Sequence, residues 1–168
     1  MWQDTQTWLL AHRVQPSGLV AYRNDTEDIV LRYPATWEIK EGALGTIVSF
    51  LSPLTTQNRI RENINLMEQD LPSDQFSLAT YTDGTVQTLH MVNPNIRFVA
   101  SDAMTIAGFA AHGVTYEEET SLGPVTFRQV WFIKGAKAYL FTLLATPETF
   151  DANNAVLEKM LGTMNIGA

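Results

Sequence analysis

No cysteine occurs among the 168 residues. This excludes disulfides, a thiol nucleophile and a thiolate metal site, and it leaves a reduced and an oxidised compartment equally open. Long apolar runs are missing too, so no segment reads as a membrane-spanning helix. Positive charge is scarce and scattered: 11 Lys and Arg stand against 18 Asp and Glu, for a net charge of −7. Phosphate backbones and anionic lipid surfaces call for clustered cations, so the charge balance argues against nucleic acid and disfavours an anionic membrane surface, and no direct membrane insertion is expected. Histidine occurs three times, at His12, His90 and His112, none of them at a metal-ligand spacing from another His or carboxylate. Phosphate-binding and dinucleotide glycine loops, the nucleophile elbow, the zincin helix and the calcium loop are all absent. No spacing marks a catalytic triad around His112.

What the chain does have is a globular composition, with 45% hydrophobic residues. A domain of this length hides roughly 70% of its unfolded surface, enough to need no metal or disulfide staple. The chain divides into an N-terminal arm or linker end, 1–17, and one domain, 18–168, as its expected organisation. The arm holds Trp2 and Trp8 and closes at Pro16-Ser17-Gly18. Met1–Gln15 lacks the order of a signal peptide. As it stands the chain reads as cytoplasmic; with a leader or lipid anchor removed it would be extracytoplasmic.

Gly123–Met164 organises the domain. Thr126–Ile133 and Ala138–Ala145 are rich in aromatic and β-branched residues, and Lys134-Gly135-Ala136-Lys137 reverses the chain between them. Ala138–Ala145 is apolar at odd and even positions alike. A strand with one wet face would alternate, so this strand belongs at the centre of a sheet covered on both sides.

Earlier strands are expected at Leu19–Arg23 and Ile29–Tyr33, which form a hairpin, and then at Trp37–Ile39, Thr46–Leu51 and Glu62–Gln69. Later ones are expected at Ile96–Ile106, interrupted near Ser101-Asp102, and at Ala110–Glu118. One helix runs to Val92 behind an N-cap at Ser73 or Ser77, its stripe being Leu78, Tyr81, Thr85, Leu89 and Val92. A second, Pro147–Met164, starts with Thr146 as N-cap and Pro147 at its first position. The expected fold is α+β: a three-layer α/β/α sandwich around a mostly antiparallel sheet of about seven strands, with a helix on each face.

Tyr33-Pro34-x-x-Trp37, then Val48-x-Phe50-x-Ser52-Pro53, then Glu62-Asn63-Ile64-Asn65-Leu66, with the Phe132/Tyr139 hairpin and a closing helix bearing Phe150, resemble the PsbP-like superfamily. The resemblance covers nearly all of the chain after Gly18. It implies an α/β/α sandwich and an accessory, assembly or adaptor protein without catalysis or cofactor. It carries over no functional residue. From the residues themselves, Tyr33, Pro34 and Trp37 read as structural.

Two functions follow as expectations. One is a non-catalytic module that binds a larger protein complex through unpacked segments: the arm, with Trp2 and Trp8, and the loop Thr55–Arg61, with Arg59 and Arg61. The alternative is a small-molecule or metal-binding protein, conceivably a hydrolase, with a site in a sheet-end cleft. Its residue candidates are Glu117 and Glu119, which alternation places on one strand face, where two carboxylates could hold a hard cation. A solvated strand end that discourages edge pairing is the simpler reading of that run.

Overall fold

The computed structural model describes residues 18–56 and 58–167. Among the described residues two sheets and two α-helices build the fold. Strands β1 (Leu19–Asn24) and β2 (Ile29–Pro34) form the expected hairpin, closed by the acidic turn between them, where the Glu27 amide donates to Asn24 Oδ1 at 2.9 Å. The main sheet comprises β3 (Glu38–Glu41), β4 (Val48–Leu51), β5 (Asn63–Asp70), β6 (Arg97–Ile106), β7 (Phe109–Thr120), β8 (Gly123–Lys134) and β9 (Lys137–Ala145). Its order is β3-β4-β5-β9-β8-β7-β6, antiparallel throughout, with β9 in the middle. The doubly apolar strand therefore occupies the central place that its composition demands. Gly135 takes φ 60° in the tight β8–β9 turn, a conformation glycine adopts without a Cβ penalty.

Helix α1 (Leu78–Val92) lies on one face and α2 (Phe150–Thr163) on the other. Tyr139, Phe141, Leu143 and Ala145 of β9 pack with Leu157, Met160 and Leu161 of α2, while Ala138 and Leu140 pack toward Tyr81, Val86 and Leu89 of α1. Period-two alternation divides the strand between two cores. On the α1 side the fully buried Trp131 donates its indole N–H to Thr82 Oγ1 at 2.9 Å, so a large apolar side chain is buried with its one polar atom satisfied. Ser77 is the N-cap of α1, its hydroxyl accepting from the Thr80 amide at 3.0 Å.

Several details differ from the sequence reading. The β1–β2 hairpin stays outside the main sheet. It pairs with β10 (Asn165–Ile166) in a separate three-stranded sheet that shares the α2 side, with Tyr22, Ile29 and Leu31 in the same core. Helix α2 begins at Phe150, after a turn in which Thr146 and Thr149 hydroxyls meet at 2.9 Å, and Thr149 is its N-cap. The irregularity in β6 is a bulge between Phe98 and Ala100, ahead of Ser101-Asp102.

Candidate interaction surface

Arg59 and Arg61 both brace the loop that carries them. Arg59 donates to the carbonyls of Leu122 and Pro124, the latter at 3.1 Å, and stands 3.9 Å from Glu148. Arg61 donates to the Ser52 carbonyl at 2.8 Å and to Glu38 at 2.9 Å. Backbone carbonyls thus hold one side of each guanidinium, and each side chain keeps part of its surface in water. Trp2 and Trp8 lie outside the described residues.

Glu117 and Glu119 stand on β7 opposite Thr126 and Pro124. Glu117 is ion-paired with Arg97 of β6. A guanidinium beside one carboxylate of a would-be pair opposes a cation there. Among the described residues no three His, Cys, Asp or Glu side chains gather as a metal-holding set.

Tertiary structure brings together groups that the sequence keeps apart. Ser101 Oγ and His112 Nε2 meet at 2.7 Å across β6 and β7, on the α1 face. Asp102, the carboxylate next in sequence, alternates to the opposite face. Lys137 Nζ lies 3.0 Å from Glu68 and 3.6 Å from Glu27, tying the β1–β2 turn to the main sheet. A hydrogen bond with Glu68 pushes the Glu27 carboxyl above its ordinary range. Burial raises Glu68, but its hydrogen bonds with Glu27 and Lys137 outweigh that and hold it below. Tyr116 is pushed up to about 12 by burial and by the nearby Glu118 charge.

Helix α1 covers only a strip of its face and leaves an open depression on either side. Toward β9 the lining is Gln69, Phe76, Thr80, Gly84, Thr88 and Leu140, around about 350 Å³. Toward β6 it is Val86, His90, Phe98, Val99, Ser101 and Val114, around about 410 Å³. Both are broad and mainly apolar, shapes suited to a polypeptide surface. No helix among the described residues is long and apolar enough to cross a membrane.

No protein-family model and no curated protein matches the chain. Solved structures do. The solution structure of CyanoP, the cyanobacterial PsbP of Synechocystis sp. PCC 6803, superposes with a TM-score of 0.68 at 17% identity, over 92% of this chain and 95% of that one. The fold is PsbP-like. LpqN of Mycobacterium tuberculosis, described as involved in cell envelope biogenesis, shares it with a TM-score of 0.65 at 12% identity, over 93% and 94% of the two chains. PA94 of Pseudomonas aeruginosa, a protein of unknown function, gives 0.59 at 16% identity, over 84% and 92%.

Within this PsbP-like fold the resembling residues meet one another. Tyr33 and Phe50 rings lie 5.2 Å apart, and Trp37 is buried in the same core. Ser52 donates to Glu62 at 3.0 Å, so the end of one motif is fastened to the start of the next. No site motif singles out Glu62 or Arg128, although both are buried. The available signals were, for Glu62, its place between Ile60 and Ile64 in a period-two register and, for Arg128, a lone charge in the apolar run Thr126–Ile133.

Proposed function

We propose that this chain is a non-catalytic accessory or assembly module that binds a larger protein complex. The observation that carries the reading is the PsbP-like fold, continuous over 92% of this chain and 95% of CyanoP. The broad apolar depressions beside α1 support it, since they offer area for a polypeptide and do not converge titratable groups on one point. Trp2, Trp8, Arg59 and Arg61 are the proposed contact residues. The arginines keep exposed edges at the rim of the fold, and exposed Trp and Arg favour interfaces.

Affinity capture from a native lysate, run beside a thermal-shift screen of metals and metabolites, tests the reading. The expected result is capture of a defined complex that weakens when Met1–Gln15 is deleted or when Arg59→Ala and Arg61→Ala are combined. A metabolite that raises the melting temperature strongly at low concentration, with no protein captured, would replace this function with small-molecule binding.

A further inference from the structure

The main sheet ends in two edges of opposite character. β3 is four residues, Glu38-Ile39-Lys40-Glu41, all exposed and three of them charged. A short charged edge resists an incoming strand. At the other end β6 runs for ten residues and pairs with β7 alone. Beyond its bulge, Ala100 to Ile106 is in unbroken register with β7. That stretch contains one charge, Asp102, with no Lys and no Pro; Ala, Ser and Thr leave its outer side sterically open. Backbone N–H and C=O groups along such an edge are free to pair with another strand.

The edge borders the depression of about 410 Å³ that is walled by Val86 and His90 of α1 and lined by Phe98, Val99 and Val114. At its rim, Val99 is 51% exposed. Strand addition needs a free edge for the backbone and a recess for alternate side chains. β6 and α1 supply both. Charge selects the occupant. Asp102 is exposed, faces away from α1, and makes no ion pair among the described residues. In a chain of net charge −7 it attracts a cation. A second copy paired symmetrically about Ala103 would set Asp102 against Met104 and supply none.

We propose that Ala100–Ile106, with the depression beside it, takes an extended segment of a partner protein. The segment pairs along β6, turns an apolar side chain toward α1, and carries a Lys or Arg at the adjacent position, opposite Asp102. This rests on the protein-binding reading above and names the partner's chemistry at one surface.

Phage-displayed unstructured peptides selected against the full chain provide the test. Selected peptides are expected to carry an apolar residue next to a basic one and to slow amide exchange along β6. Val99→Lys and Asp102→Lys, checked for unchanged melting, should each weaken binding by about tenfold or more. Leu44→Lys, at an exposed apolar position elsewhere, should leave it unchanged. No selected peptide, protection mapped away from β6, or equal binding by both β6 variants would overturn the proposal. So would a concentration-dependent dimer abolished by Val99→Lys, which would give the edge to a second copy. Partner capture that depends on Arg59 and Arg61 but not on the β6 variants would overturn this inference and leave the proposed function standing.

Discussion

The Ser52 hydroxyl donates to the Glu62 carboxylate at 3.0 Å, and this contact fastens both ends of the Pro53–Arg61 loop. Asn58 donates to both oxygens of the same carboxylate, at 3.1 and 3.0 Å. Glu62 is 2% exposed, so its charge is held by neutral donors inside the protein. A buried carboxylate demands such donors because water no longer solvates it. Glu62→Ala should therefore cost about 1–3 kcal/mol, the penalty for orphaning the groups that pointed at it. Urea denaturation gives the cost. Faster amide exchange at Ser52, whose N–H pairs with the Glu62 carbonyl, would show that the loop loosens.

Arg128 presents a second buried charge, donating to Asn154 at 2.5 Å and to Glu158 of α2. Either acceptor can serve when the other is lost. Asn154→Ala and Glu158→Ala should each be mild, whereas the double variant leaves the buried guanidinium without an acceptor on α2. The double variant should exceed the sum of the singles by about 0.5–3 kcal/mol in a double-mutant cycle. Strict additivity would mean that Arg128 finds another acceptor.

Gly123 holds φ +101°, and a Cβ there would sit 2.5 Å from Arg59 Nη1. Gly123→Ala should destabilise by about 1 kcal/mol or more through backbone strain, and should also displace Arg59 from the Leu122 and Pro124 carbonyls. Adding Arg59→Ala removes the clash and leaves the strain, so it should recover only part of the loss in melting temperature.

Tyr116 packs between Phe127 and Phe98, with ring centroids at 5.1 and 5.8 Å. Its folded pKa of about 12 lies above the ordinary 10.0. A raised pKa contributes stability that is complete below the unfolded value and disappears as pH climbs through the folded one. Between pH 10 and 12 the wild type should therefore lose stability faster than Tyr116→Phe. Denaturant midpoints measured across that window check the difference; parallel curves would show that Tyr116 ionises as freely folded as unfolded.

Much of the architecture was legible along the chain. Ala138–Ala145 marks a central strand through its double apolarity, Ser73 and Ser77 each offer a hydroxyl to cap α1 and the fold uses Ser77, and the Lys134–Lys137 turn marks a hairpin. Each signal is local: a periodicity, a cap, a glycine. The start of α2 lies later than its local signals indicate, because Thr146-Pro147-Glu148 satisfies the same local rules as a helix start while the Thr146–Thr149 turn satisfies them without one. The separate sheet was hidden for another reason. A hairpin's own sequence specifies its internal pairing, but its choice of neighbour depends on β10, more than a hundred residues away.

The surface was the least legible part. Arg59 and Arg61 were recognisable as loop arginines, yet the carbonyls of Leu122, Pro124 and Ser52 that hold them come from distant turns. Ser101 and His112 meet only because β6 and β7 settle into one register.

By itself the sequence determined the main strands, the two helices, their order and the two-faced core, because propensity, capping and hydrophobic period act over a few residues. Tertiary structure alone decided which strand became the unguarded edge, which charges were buried, and which side chains met across strands. Those outcomes depend on long-range pairing, in which a segment's neighbours are set by the packing of the whole chain and not by its own residues.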